Sequence, residues 1–270
     1  MENKFSEEKI TKNLEKIKHK LIVLSGKGGV GKSTISANLA YALSEKGYKV
    51  GLLDSDIHGP TIPKMLGVEK KQPLPSNDGI NPVIVNPKLR VMSTGFLLSE
   101  TDSPIIWRGP LKMGAIKQFI GDVKWGDLDY LIVDLPPGTG DEPLSISQLI
   151  PNNDGAIIVT TPQDVALLSV RKSINFVKKM NYPIIGIIEN MSGFNCPHCD
   201  KSIDIFGKGG GLKASKDFKV PFLGKVPIEP KIVLNGDSGE PYLIKNYDTE
   251  AGKSFIKIVE KIEKIVNNKR

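Results

Sequence analysis

Short apolar runs alternate with longer segments of mixed apolar and polar spacing along the whole chain. Leu21-Ile22-Val23-Leu24, Val50-Gly51-Leu52-Leu53, Tyr130-Leu131-Ile132-Val133, Ala156-Ile157-Ile158-Val159 and Ile184-Ile185-Gly186-Ile187-Ile188 are each of strand length. Their unbroken apolar character predicts strands covered on both faces, as in a parallel sheet. Between them, residues 32–45, 109–119 and 163–180 have helical length and spacing. Strand and helix in alternation predict βαβ units, hence an α/β fold with a doubly wound, mostly parallel sheet, helices on both faces and a single domain. Residues 60–110 are richer in Pro, Gly and Asn, and residues 192–211 hold a cysteine pair and a glycine triplet, so both read as functional loops or insertions. The ends read as helices: an extension over 1–19 with Phe5, Ile10, Leu14 and Ile17, and a segment over 249–270 with Phe255, Ile258, Val259, Ile262, Ile265 and Val266. That second stripe fits a helix packed on the main body, residues 20–248.

Composition narrows the class. At 270 residues with 39% hydrophobic, 25% charged and 6% aromatic residues, the chain is neither disordered nor fibrous. No apolar run approaches the roughly 20 residues that span a bilayer, and Met1 to Lys20 lacks the order of a signal peptide. A soluble, cytoplasmic protein is expected, with no membrane partner. The net charge of +7 points first to nucleic acid, but its location argues otherwise. Residues 1–20 carry 6 Lys against 4 Glu, and residues 251–270 carry 6 Lys or Arg against 2 Glu, which leaves 25 basic and 24 acidic side chains for the rest. The body is nearly neutral, so no basic groove for nucleic acid is expected.

The first strand runs directly into Gly26-Lys27-Gly28-Gly29-Val30-Gly31-Lys32-Ser33, followed by Thr34 and the first helix. This satisfies the G-x-x-x-x-G-K-[ST] template in the strand, loop and helix context it requires. Glycines let backbone N–H groups turn inward as an anion nest, and the helix N-terminus adds partial positive charge. Lys32 reaches the outer phosphates of a nucleotide, and the Ser33 hydroxyl ligates Mg²⁺. Two strand ends add acids. Asp54 and Asp56 follow the second strand, at the sheet edge where ligands of open α/β sheets sit. Tyr130 to Val133 ends in Asp134, the Walker B position that reaches Mg²⁺ through water. The following Leu135-Pro136-Pro137-Gly138-Thr139-Gly140-Asp141 is a turn able to move when a γ-phosphate leaves.

The chain has 2 cysteines, Cys196 and Cys199, in one Cys-Pro-His-Cys stretch. The spacing permits a redox pair, half of a zinc site, half of an iron–sulfur site, or inert thiols. Metal binding suits the position best, yet zinc and iron–sulfur sites usually take four protein ligands. His198 lies between the thiols, and His19 and His58 are distant in sequence. A two-fold dimer resolves the count by joining two pairs as four thiolates.

Taken jointly, these segments resemble the Mrp/ApbC family of iron–sulfur carrier ATPases, within the ParA and MinD class of "deviant" Walker A proteins. The resemblance runs from about Lys20 to Tyr242 and also includes Trp107-Arg108-Gly109-Pro110, Thr161-Pro162-Gln163-Asp164, Glu189-Asn190-Met191 and Val226-Pro227-Ile228-Glu229-Pro230. It implies that Lys27 reaches across a homodimer to the partner's nucleotide, that Asp56 orients the attacking water with Asp54 in support, and that Asn190 with Pro227 and Ile228 recognises adenine, hence ATP. It further implies a labile [4Fe-4S] cluster bridging two protomers on Cys196 and Cys199, received from assembly proteins and passed to apo-proteins. The resemblance, and not the spacing, favours iron over zinc. Neither the small N-terminal accessory domain of many bacterial members nor the N-terminal cysteine cluster of eukaryotic cytosolic relatives is expected here. No cysteine follows Asp134 as in nitrogenase-reductase relatives, so electron donation in that style is not expected. The competing reading is a MinD-like positioning ATPase whose C-terminal helix meets membranes and whose cysteine pair binds structural zinc.

Overall fold

The computed structural model describes residues 2–97, 109–196, 198–199 and 201–268. Trp107 and Arg108 lie outside the described residues, as does Pro197 of the cysteine motif. The chain runs α1 (Glu2–Glu15), β1 (Ile17–Leu24), α2 (Lys32–Glu45), β2 (Val50–Asp54), α3 (Ile62–Met65), β3 (Leu74–Ser76), β4 (Gly79–Asn81), β5 (Val83–Asn86) and β6 (Leu89–Ser93). It continues with α4 (Gly109–Gly121), β7 (Leu128–Asp134), α5 (Asp141–Gln148), β8 (Gly155–Thr160), α6 (Asp164–Lys179) and β9 (Ile184–Asn195). The last elements are β10 (Ser202–Ile203), α7 (Gly210–Phe218), β11 (Phe222–Ile228), α8 (Pro230–Ser238) and α9 (Glu250–Asn267).

Nine strands form one sheet in the order β10-β9-β8-β1-β7-β2-β6-β5, with β11 also paired to β9. All pairs are parallel except β5 with β6 and β9 with β10. The five apolar runs are the buried spine: Leu21 to Leu24, Leu52, Leu53, Leu131 to Val133 and Ile157 are all essentially inaccessible. Burial on both faces is why those runs do not alternate. β1 sits between β7 and β8 at the reversal of strand order, the place where open α/β sheets bind ligands.

Three regions differ from the sequence reading. The N-terminal extension is helical only over Glu2–Glu15, and Ile17 already belongs to β1, where it pairs with Leu128 of β7. Residues 60–110, read as a loop, contribute β6 as a parallel neighbour of β2 and β5 as an antiparallel edge. These strands are short and interrupted by Asn-Pro turns, which hides the apolar signal. Residues 192–211 are likewise more ordered than a loop, since β9 continues through Asn195 and α7 begins at Gly210. Helix α9 starts with Thr249 as N-cap, its side chain accepting from the Gly252 N–H. Its apolar stripe faces β11 and α2, with Phe255, Ile258, Val259, Ile262 and Val266 buried. That stripe is consumed by the core. Among the described residues no helix is long and apolar enough to cross a membrane.

Candidate functional site

Residues 26–33 close the gap between the end of β1 and the start of α2, so the loop caps the central strand of the sheet. Gly31 has φ +78, a left-handed conformation that side chains rarely adopt. A Cβ at Gly31 would also stand 2.2 Å from Nδ2 of Asn190, so backbone and side chain meet there without room for a methyl group. Thr34, half-buried on the first turn of α2, offers its carbonyl to Asn38 Nδ2 at 2.9 Å.

Beneath the loop, two strand ends place their acids side by side. Asp54 and Asp134 are register partners of β2 and β7 and both are fully buried. Lys32, 6% exposed, lies with Nζ 2.6 Å from Oδ2 of Asp134. The Ser33 hydroxyl donates to the same oxygen at 2.7 Å, and the Ser36 hydroxyl donates to Oδ1 at 2.5 Å. Hydroxyl and carboxylate oxygens in this arrangement are the hard donors that Mg²⁺ takes. Asp54 accepts from the Ser93 hydroxyl at 2.9 Å and from the Asp56 N–H at 3.2 Å. One lysine thus serves two buried carboxyl groups.

That imbalance shows in Asp54. Burial first, and then the charge of Asp134, push its carboxyl up from the ordinary 3.8 to about 8. Between those values the folded protein holds a proton that the unfolded chain has released, so this group lowers stability as pH rises from about 4 to about 8. Asp54→Asn, a mimic of the protonated acid, is expected to flatten that part of the profile. Melting temperatures of the nucleotide-free protein should converge below about pH 4 and separate by several degrees at pH 8, with the variant higher. An unchanged pH slope would show that Asp54 is already ionised at neutral pH.

Lys27 is half-buried, and its Nζ approaches Oε1 of Gln163 at 3.3 Å, the residue before α6. Thr161 donates to the same amide oxygen at 3.2 Å. Lys27 is therefore held away from Asp134 by its own chain. Asp56 is half-buried on the loop after β2.

Asn190, 6% exposed, sits under the loop and donates through Nδ2 to the Val30 carbonyl at 2.9 Å. Val226 of β11 is its register partner, which brings Pro227 and Ile228 next to it at the strand end. Phosphate loop, acids, Asn190 and the end of β11 thus converge on one edge of the sheet.

The cysteines stand apart from this cluster, on the hairpin formed by the end of β9 and β10. Phe194 pairs with Ile203 on one side and with Ile228 on the other, and the Cys196 N–H donates to the Lys201 carbonyl at 3.0 Å. Cys196 is half-buried and Cys199 exposed, both as free thiols. The His198 backbone N–H, followed by contacts with the Cys199 thiol and N–H, holds the Cys196 thiol below its usual range. Among the described residues no group of three or more His, Cys, Asp or Glu gathers as a metal site. His198 supplies backbone, and the hairpin supplies two sulfurs.

Lys32 rests on the strand-terminal Asp134 and, apart from that site, a hairpin carries the two thiols; residues 16–263 match the ParA-type family described as NUBPL iron-transfer P-loop NTPase. The chain belongs to this family. A Methanocaldococcus jannaschii relative named iron-sulfur cluster carrier protein is 56% identical over 262 residues, 97% of this chain and 90% of that protein. A Saccharolobus solfataricus protein of the same name is 50% identical over 260 residues, 96% of this chain and 88% of its own. The solved nucleotide-binding protein from Archaeoglobus fulgidus in complex with ADP is 40% identical and superposes with a TM-score of 0.78, covering 87% of this chain and 92% of that one. MinD from Aquifex aeolicus shares the fold at a TM-score of 0.65 and 22% identity, over 91% of this chain and 97% of its own.

Within this iron-transfer NTPase fold the site uses residues that the sequence reading passed over. Ser36 follows Lys32 by one helical turn and completes the ring around Asp134. Ser93 lies at the end of a strand hidden in the Pro-rich segment. Gln163 and Glu189 belong to segments noted only for their resemblance. Glu189 is 1% exposed and accepts from the Gly209 N–H at 3.0 Å, the Gly211 N–H at 2.6 Å and the Ser192 hydroxyl at 2.5 Å. A carboxylate just after a buried strand was the available signal for it.

Proposed function

We propose that the chain is an ATP-hydrolysing homodimer that carries a [4Fe-4S] cluster as cargo between protomers, receives it from assembly proteins and hands it to apo-proteins. The observation that supports this reading most is the hairpin bearing two thiols, Cys196 half-buried with its pKa lowered and Cys199 exposed, with no cluster of three metal-ligating side chains among the described residues. Two such hairpins meet the usual demand of a cluster for four thiolates, and a surface position suits a cargo that must leave. Iron–sulfur is the cargo named for the relatives at 50% and 56% identity.

The nucleotide steps follow from the buried cluster. Lys32 exchanges Asp134 for the outer phosphates of ATP, while Ser33 and Asp134 hold Mg²⁺, which supplies charge neutralisation to the transferring phosphoryl group. The backbone N–H groups from Gly26 through Thr34 cradle the phosphates. Asp56 orients the attacking water, with Asp54 fixing the Asp56 backbone through its Oδ1. Asn190, with Pro227 and Ile228, faces the base. Lys27 leaves Gln163 and stabilises charge at the partner's phosphates.

Anaerobic reconstitution with iron and sulfide tests the reading directly. The expected result is about four iron and four sulfide per two chains, with a dimer mass in sedimentation. Uptake of zinc without sulfide would overturn it and favour the MinD-like positioning switch.

A further inference from the structure

The strand that brings Asn190 beneath the phosphate loop, β9, ends at Asn195, and Cys196 follows directly, six positions after Asn190. Successive side chains along a strand point to opposite faces, and here the alternation falls on Glu189 and Asn190. Asn190 turns toward the loop, where it donates to Val30 and packs against Gly31 with no room for a Cβ. Val30 and Gly31 of that loop therefore contact β9 directly through Asn190. Glu189 turns the other way, into the segment that bears the thiols. Its Oε1 accepts from Ser192 on the outgoing limb and from Gly209 on the returning limb, and its Oε2 accepts from Gly211.

Between these anchors and the hairpin the strand is kinked. Met191 has φ +57 and Gly193 has φ +81, and the pairing with β11 shifts register between Val226 and Ile228. A left-handed non-glycine residue inside a strand persists only where its surroundings hold it. The Ser192 hydroxyl, bound to Glu189, lies between the two left-handed residues. Glu189 thus ties Ser192, within the kink, to Gly209 and Gly211 on the returning limb.

We infer that Glu189 is a positioning residue that couples the nucleotide state of the phosphate loop to the placement of the cysteine hairpin. The inference rests on the carrier reading for its purpose, since a carrier must hold its cargo in one nucleotide state and release it in another. The bonds to Glu189 are charge-assisted and buried, so they give the clamp a defined geometry. The Lys208–Asp204 pair of the same segment, at 2.9 Å, is exposed.

Glu189→Gln keeps the volume and sets an amide NH₂ against one of the donors of the clamp. Amide hydrogen exchange, with and without a non-hydrolysable ATP analogue and Mg²⁺, reads the coupling without any cargo. In the wild type the analogue should slow exchange at residues 28–33 and change it at Gly209 and Gly211 by on the order of tenfold, the weight of a charge-assisted bond. In Glu189→Gln the effect at 28–33 should persist and that at Gly209 and Gly211 should shrink to about twofold or less. Ser192→Ala, which removes one donor and keeps the carboxylate, should give an intermediate response and serves if the Gln variant does not fold. A wild-type loop that ignores the analogue overturns the coupling, as do variants that respond like the wild type. Failure of iron and sulfide loading, with the exchange pattern intact, would sink the carrier reading and leave the coupling standing.

Discussion

Lys27→Ala is expected to bind ATP and Mg²⁺ as the wild type does and to lose about a thousandfold in turnover, the lower end for a charge supplied across an interface. The geometry separates its role from that of Lys32. Lys32 is buried on Asp134, inside the ring completed by the Ser33 and Ser36 hydroxyls. Lys27 is half-buried at the mouth of the loop and rests on Gln163, the residue before α6. Removing a lysine with one polar contact at the surface costs little stability, so the melting temperature should stay within a few degrees. Steady-state hydrolysis and equilibrium binding of a fluorescent nucleotide check the two halves. Turnover equal to the wild type would rule out action in trans. Weakened binding with proportionate loss of turnover would place Lys27 on its own nucleotide instead.

Cys196→Ala is expected to abolish cluster loading. Each chain offers two sulfurs, and among the described residues no carboxylate or imidazole gathers with them to make a third ligand. With alanine at 196 a dimer retains two thiolates, which does not meet the usual four-ligand requirement of either iron–sulfur or zinc sites. Iron and sulfide bound after anaerobic reconstitution should fall by at least about tenfold, together with the charge-transfer absorption of the cluster. Cys196 and Cys199 stand on the β9–β10 hairpin, while the Asp134 ring is formed by Lys32, Ser33 and Ser36, so ATP binding should be retained, which distinguishes loss of the cargo site from misfolding. Full loading of the variant would exclude the thiol-bridged dimer.

The sequence was most legible where burial is most complete. The five apolar runs are the strands covered on both faces, and the helix over residues 32–45 has the bounds its spacing predicts. The phosphate loop, Asp54 and Asp134 were readable because their chemistry needs fixed residue types at fixed distances from strand ends. The segment over 60–110 was not, because β3 to β6 are three to five residues long and partly exposed, so their periodicity drowns in turn residues. The return limb of the cysteine loop was hidden differently. Three successive glycines signal a flexible turn, yet Gly209 and Gly211 are fixed by the buried carboxylate of Glu189. That order is written in a side chain some twenty positions away, and local pattern carries no trace of it.

The strand order also bears on how the molecule is made. β1 leaves the ribosome first among the strands and carries the phosphate loop on its end, yet its neighbours are β7 and β8. Neither side of it can be paired until residues 128–134 and 155–160 have been synthesised, and the acid that receives Lys32 arrives only with the first of them. Non-local pairing of this kind is slow and leaves apolar edges open meanwhile. The nascent chain therefore spends about half of its synthesis with a complete phosphate-loop sequence that has no sheet to stand on.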